Sequence, residues 1–125
     1  MKKQALHIVK IGGNIIDAPE ALASFLADFA SIQGHKLLVH GGGKIATSMA
    51  ADLGIKSQMI DGRRVTDADS LRIVTMVYAG WINKSIVASL QALSSNAIGL
   101  AGPDGGFVIS KKRNPVPIDY GFVGD

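Results

Sequence analysis

The sequence predicts an α/β fold in which a mostly parallel sheet is sandwiched by helices. Short apolar runs rich in β-branched residues alternate with amphipathic helical segments, and the first two runs each end at a glycine cluster. The 125 residues fit a single domain, residues 1–125. With 47% hydrophobic and 18% charged residues, the composition is that of a folded domain.

Composition excludes several classes of protein. The absence of cysteine excludes a disulfide scaffold, a cysteine-ligated zinc site and a thiol nucleophile. A net charge of +3 with 6% aromatic residues argues against a nucleic-acid partner, so Lys111-Lys112-Arg113 is interpreted as the solvated end of a hairpin. No uninterrupted apolar run approaches ~18 residues, and Lys10 interrupts the first one. We therefore expect a cytoplasmic protein without a membrane segment.

The first half of the chain predicts a strand, a helix and a second strand. Residues 5–11 are a short buried strand that ends at a glycine pair. Asp17 and Glu20 have the spacing of a capping box, and the helix that follows is expected to stop at Gly34. Residues 36–40 are the second buried strand.

The middle of the chain predicts a helix and a hairpin. The helix covers residues 44–53, after the glycine triplet and before Gly54. Residues 56–60 and 63–65 flank Asp61-Gly62, a dipeptide typical of tight β-hairpin turns.

The remaining residues predict one long helix and further strands. Thr66 is expected to cap a helix over residues 67–93, which is apolar all round and therefore buried in the core or against a partner. Residues 97–101 are predicted as a third strand, and residues 107–110 as a hairpin arm. Phe122-Val123 has the character of a strand start, so the fold is expected to be incomplete in this chain.

The two glycine clusters are candidate anion sites. Gly12-Gly13 and Gly41-Gly42-Gly43 each lie between a strand and a helix, where backbone N–H groups and the helix dipole favour phosphate. The alternative is that the glycines only permit tight turns. Lys10 adds a cation of the kind that phosphoryl transfer requires, or it pairs with a core carboxylate such as Asp104. The spacing matches neither a Walker loop nor a dinucleotide-binding fingerprint.

Three other residues leave alternatives open. His40 and the glycines after it resemble the oxyanion-hole loop of some esterases, but the G-x-S-x-G nucleophile motif is absent. His40 is either a donor to a ligand or a satisfied, half-buried histidine. One of Arg63 and Arg64 is suited to grip a carboxylate, and spacing does not decide which.

Four motifs together resemble the acetylglutamate kinases of the amino-acid kinase family. They are K-I-G-G at residues 10–13, H-G-G-G at 40–43, G-R-R-V-T at 62–66 and D-Y-G-F-V-G at 119–124, in the order that this family shows. Asn83-Lys84, Gly99-Leu100 and Asp104-Gly105 also fit. The resemblance covers essentially the whole chain.

The resemblance implies transfer of the γ-phosphoryl group of ATP, with Mg²⁺, to the side-chain carboxylate of N-acetyl-L-glutamate in arginine biosynthesis. Lys10 resembles the lysine that stabilises the transferring phosphoryl group. Gly12 and Gly13 match the loop at the nucleotide phosphates, and Gly42 and Gly43 match backbone donors to the acylated amino acid. Arg64 matches the arginine that holds its α-carboxylate. No protein ligand to a metal is expected in this chain.

Members of this family are about twice as long as these 125 residues. The 125 residues resemble the N-terminal, acylglutamate-binding part and alone are expected to be inactive. The alternatives are a binding module without activity and a kinase for another N-acylglutamate, such as N-succinylglutamate. The resemblance also implies a homodimer through helix 67–93. Because few residues precede the first strand, we expect no arginine-sensing N-terminal helix.

Overall fold

A computed structural model describes residues 5–125 of the chain. The elements, in chain order, are β1 (Leu6–Lys10), α1 (Gly13–Ile16), α2 (Pro19–Ser31), β2 (His35–Val39), α3 (Gly43–Asp52), β3 (Gln58–Ile60), β4 (Arg63–Val65), α4 (Ala68–Val74), a π-helical segment (Thr75–Ile82), α5 (Asn83–Ala92) and a 3₁₀ turn (Asp104–Gly106). This succession confirms the α/β class.

The two predicted buried strands are confirmed as a parallel pair. β1 and β2 pair in register from Leu6 opposite His35 to Lys10 opposite Val39. Val9 and Leu38 pack against the buried core. Their neighbours along each strand face the other side of the sheet, because successive side chains of a strand alternate between the two faces. The opposite face is apolar and exposed, and it carries Leu6, Ile8, Leu37 and Val39. Within residues 5–125 the helical core therefore covers one face of this small sheet.

The hairpin is confirmed as β3 and β4, which pair antiparallel from Gln58 opposite Val65 to Ile60 opposite Arg63. Asp61 and Gly62 both have positive φ, 49° and 74°. That is the backbone that a two-residue hairpin turn of the right twist requires.

The third strand expected over residues 97–101 is wrong for this structure, as is the arm over residues 107–110. Residues 97–101 have no regular structure. They line, together with β2, a cavity of about 980 Å³. Ile98 and Ile109 are 82% and 92% exposed. An apolar run becomes a strand only when a neighbouring strand supplies its hydrogen bonds, and among the described residues neither run has one.

The strand start predicted at Phe122-Val123 is wrong, because only the glycines on either side form single bridges. Gly121 bridges Thr66 and Gly124 bridges Lys112. The basic triplet Lys111-Lys112-Arg113 lies at the bridge to Gly124, where Lys111 and Asp125 exchange two backbone hydrogen bonds of 2.9 Å. Arg113 donates to the carboxylate of Asp125, which raises the pKa of Arg113 and lowers that of Asp125.

Two predicted helix caps are wrong. Asp17 is the C-cap of α1, and α2 begins at Pro19 after Ala18 without a side-chain cap. Proline suits a first turn because that turn needs no N–H donor. The long helix is capped by Asp67, whose carboxylate accepts from the Ser70 amide at 2.8 Å, and not by Thr66. Thr66 instead exchanges backbone hydrogen bonds of 2.8 Å with the chain at residues 120 and 122.

The long helix is confirmed as one continuous element from Ala68 to Ala92, of which Thr75–Ile82 is π-helical. By length and composition alone this helix is long and apolar enough to cross a membrane, a property that it shares with core helices of other proteins. Here it packs against α2 and α3. Its inward residues Ile73, Val77, Ile82, Ile86 and Leu90 are the centre of the buried core.

Candidate active site at the glycine loops

The fold brings the two glycine clusters to the same edge of the sheet. Lys10 lies opposite Val39 in the β1–β2 ladder, and the Ile11 amide donates to the Val39 carbonyl at 2.9 Å. The segments that follow β1 and β2 therefore leave the sheet side by side, as expected for the carboxyl ends of parallel strands. Gly12 is the N-cap of α1 and Gly42 is the N-cap of α3. The free amides of two helical first turns consequently lie at this edge.

The glycines of the two clusters differ in what surrounds them. A Cβ added at Gly12 or Gly41 would meet no atom within 4 Å, so both face open space. Gly42 is buried, has a φ of 156°, and a Cβ there would overlap the Ile82 side chain. The Tyr78 ring would lie 3.2 Å from the same Cβ. Gly42 is thus glycine because the loop packs against the long helix, whereas Gly12 leaves its backbone accessible.

Lys10 is exposed, not buried as the sequence suggested. It is the last residue of β1, and strand alternation places it on the open face with Leu6 and Ile8. Asp104, the core partner considered for it, accepts instead from the Ala101 amide at 2.6 Å. Lys10 therefore needs no internal counter-ion and lies beside the Gly12-Gly13 loop.

Arg64, not Arg63, is the arginine that reaches the glycine loop. Its Nη2 donates to the Gly43 carbonyl at 3.2 Å and to Thr47 Oγ1 at 2.7 Å. Its Nη1 donates to Ser57 Oγ at 2.6 Å. Arg64 is half-buried, while Arg63 is exposed. These contacts hold a fixed positive charge over the first turn of α3.

The Arg64 side chain lines an open surface depression of about 530 Å³. It is lined by Gly43, Lys44, Thr47, Ser48, Met59 and Arg64. One wall therefore carries two cations beside the first turn of α3. Anions are the ligands that such a wall favours.

Lys44 is a site residue that the motif analysis missed. Its Nζ lies 3.5 Å from Asp17 Oδ2 and 3.4 Å from Asn14 Oδ1, so it connects the helix after the second glycine cluster to the helix after the first. Its side chain is 74% exposed. The available signal was its position, because a cation in a helical first turn opposes the dipole and calls for a nearby anion.

His40 matches the second of its two interpretations, the satisfied and half-buried histidine. Its ring nitrogens lie within hydrogen-bond distance of the Asn83 side chain and the Gly41 carbonyl. The ring is therefore occupied by protein groups and supports the glycine loop from behind.

Comparison with known proteins supports the resemblance that the motifs carry. A family profile described as "Amino acid kinase family" matches residues 5–118. A protein named Acetylglutamate kinase from Cytophaga hutchinsonii is 63% identical over 124 residues, which are 98% of this chain and 47% of that protein. A protein of the same name from Phocaeicola vulgatus is 56% identical and covers 98% of this chain and 48% of its own length. Another from Methanopyrus kandleri is 39% identical and covers 96% of this chain and 48% of its own length.

The chain thus spans about half the length of the curated relatives it matches. The matched profile covers most of the chain, including β1, β2 and both glycine loops. The chain belongs to the amino acid kinase family.

Proposed function

We propose that the whole gene product transfers the γ-phosphoryl group of ATP to the side-chain carboxylate of N-acetyl-L-glutamate, a step of arginine biosynthesis. The observation that carries the proposal is the convergence of both glycine loops at one sheet edge, with Arg64 over the second loop. The relatives named Acetylglutamate kinase, at 39–63% identity, support this choice of acceptor.

The chemistry requires positive charge more than it requires a protein nucleophile. A carboxylate oxygen of the substrate attacks the γ-phosphorus, the bond to the β,γ-bridging oxygen breaks, and ADP leaves. Both reactants are anions, so alignment and electrostatic stabilisation supply most of the catalysis. The acceptor carboxylate is already ionised at neutral pH, so no general base is needed.

Each role falls to a residue at this edge. Lys10 stabilises the transferring phosphoryl group, and the accessible backbone at Gly12 and Gly13 receives the nucleotide phosphates. The loop at Gly42 and Gly43 receives the acylated amino acid. Arg64 holds the α-carboxylate, since three of its five N–H donors are engaged by the protein and two remain.

Mg²⁺ is proposed to accompany ATP on its phosphates. Among residues 5–125 no three histidine or carboxylate side chains gather as metal ligands. The described residues thus offer cations and amides to the phosphates, and no cage for the metal. Requirement for the ion is tested by assay with and without Mg²⁺.

The alternative is a binding module without activity, and one assay separates the two. Acyl phosphate formed with MgATP is trapped as a hydroxamate, both for the whole gene product and for residues 1–125 alone. We expect turnover by the whole product and none by the 125 residues, which offer one candidate catalytic lysine. Turnover by neither, with acylglutamate still bound, would favour the binding module. Robust turnover by residues 1–125 would refute the incomplete-site proposal.

The acyl group is a separate question within the same function. The alternative substrate is N-succinylglutamate, whose acyl group carries a second carboxylate, because Lys44 and Arg64 line one depression and supply two cations there. Comparison of kcat/KM for acetyl- and succinylglutamate decides it. A preference for free glutamate or aspartate would overturn the proposed subclass.

A homodimer through the long helix is proposed for the assembly, in the cytoplasm and away from membranes. Trp81 is 60% exposed on this helix, and Met76 and Leu71 are also exposed. Large apolar side chains on an outer helix face are typical of contact surfaces. Sedimentation should show a dimer without detergent, and Trp81→Lys should weaken it. A monomer at micromolar concentration, or a requirement for detergent, would contradict the proposal.

A further inference from the structure

The carboxamide of Asn83 lies at the centre of a polar network behind the second glycine loop. Asn83 is 8% exposed. Its Nδ2 lies 3.2 Å from His40 Nε2 and 3.3 Å from the Leu100 carbonyl oxygen. Its Oδ1 lies 3.1 Å from Lys84 Nζ, which also donates to the Gly99 carbonyl at 2.9 Å. A Cβ at residue 99 would overlap this carboxamide, so glycine there makes room for it.

The neighbours of the carboxamide allow one orientation. An ammonium group is only a donor, and a backbone carbonyl is only an acceptor. Exchanging Oδ1 and Nδ2 of Asn83 would set its NH₂ against the Lys84 ammonium and its oxygen against the Leu100 carbonyl. Both contacts would become repulsive. The NH₂ group therefore faces Leu100 and His40.

This orientation determines the state of the His40 ring. Because Asn83 Nδ2 is a donor, His40 Nε2 must be the acceptor and carries no hydrogen. The neutral ring then carries its hydrogen on Nδ1, which lies 3.1 Å from the Gly41 carbonyl oxygen. One ring thus accepts from the long helix and donates to the glycine loop. Protonation of Nε2 would break the first contact and would add a charge near the Lys84 ammonium.

We propose that His40 is a positioning residue, locked by Asn83 as the Nδ1–H tautomer, which fixes the Gly41 carbonyl and so orients the amides of Gly42 and Gly43. The catalytic part of this inference rests on the proposed function, because those amides matter to turnover only if they receive the acylated amino acid. The tautomer itself does not depend on any activity.

The tautomer is tested by long-range ¹H–¹⁵N correlation on the histidine-labelled gene product, at alkaline pH where imidazole is neutral. His7 and His35 are exposed and serve as internal references. We expect His40 to be protonated at Nδ1 and to change in Asn83→Leu, while the two references do not. Protonation of His40 at Nε2 would overturn the proposal even if the kinase is fully active.

The positioning role is tested by two substitutions that each keep one contact of the ring. An amide in His40→Asn lies near the Nδ1 position and retains a donor to Gly41, whereas His40→Gln retains only the contact to Asn83. We expect His40→Gln to raise KM for acylglutamate about tenfold, the effect of one hydrogen bond, with KM for ATP unchanged. His40→Asn should stay within about threefold of the original.

Two readouts separate this role from general damage and from failure of the proposed function. Amide exchange at Gly42 and Gly43 should accelerate in His40→Gln and not in His40→Asn, whether or not the protein is a kinase. Equal exchange and equal KM in both variants would overturn the positioning role. If exchange differs as expected but no variant and no parent phosphorylates acylglutamate, the proposed function fails and the positioning role stands.

Discussion

Replacement of Arg64 by alanine is the most direct test of the proposed substrate site at the second glycine loop. Arg64 keeps a fixed charge against the Gly43 carbonyl and Thr47 hydroxyl, at 3.2 Å and 2.7 Å. Loss of a charge-assisted hydrogen bond to the α-carboxylate costs about 1.5–3 kcal/mol. At about 1.4 kcal/mol per factor of ten, KM for acylglutamate should rise about 10- to 150-fold. KM for ATP should stay nearly constant, because the nucleotide is proposed to bind at the other glycine loop, Gly12-Gly13.

The same substitution also removes support from α3, and matched variants separate the two effects. Thr47→Val and Ser57→Ala each delete one partner of the guanidinium without removing its charge. Both should change KM for acylglutamate by less than about fivefold, since each hydroxyl contact is worth about 1 kcal/mol or less and water replaces it. Arg63→Ala controls for net charge, because Arg63 is the exposed neighbour of Arg64 in β4.

The assay is hydroxamate trapping on the whole gene product, with each substrate varied in turn and folding checked by circular dichroism. An unchanged KM for acylglutamate in Arg64→Ala would refute the carboxylate assignment. So would an equal rise in both KM values, or an Arg63→Ala variant as impaired as Arg64→Ala. Arg64→Lys should recover only part of the affinity, because an ammonium cannot reproduce the planar fork.

Three further predictions follow from the same geometry. Lys10→Ala should lower kcat about 100-fold or more with little change in either KM, and a fast variant with weak binding would contradict its transition-state role. Gly42→Ala should destabilise the fold by about 1–3 kcal/mol in urea denaturation, because its Cβ overlaps Ile82, whereas Gly41→Ala should not. The cap hydrogen bond from Ser70 lowers the pKa of Asp67 below that of an ordinary aspartate, so its stabilisation is present above the ordinary aspartate range and is lost as the pH falls through the lowered pKa. The stability difference between parent and Asp67→Ala should therefore shrink below about pH 4, and a pH-independent difference would refute the capping role.

Much of the fold was predictable because local backbone rules are strong. β1, β2, the hairpin and the long helix lie where the apolar periodicity and the Asp61-Gly62 turn place them. The failures have a common origin. Residues 97–101 have the composition of a strand, yet a strand also needs a partner that composition does not report. Thr66 and Asp67 are both good caps, and tertiary hydrogen bonds to residues 120 and 122 occupy the backbone of Thr66.

The candidate site divides in the same way. Motif spacing was enough to place Lys10 and both glycine loops at neighbouring strand ends, and their proposed roles stay predictions. The burial expected for Lys10 was wrong, because the face of β1 that carries it is open among the described residues. Lys44 was missed, since its interest lies in contacts to Asn14 and Asp17 and not in a motif.

The sequence by itself determined the family, the positions of β1, β2, the hairpin and the long helix, and the glycine loops that end both strands. These depend on residue identity and on spacing within short segments, which is where backbone preferences act. Only the tertiary structure decided that Arg64 and not Arg63 meets the loop, and that Asn83 sets the hydrogen on His40. Those contacts join residues 21 and 43 positions apart. Which side chains meet over such separations is decided by the packing of the helices against the sheet, and no local pattern encodes it.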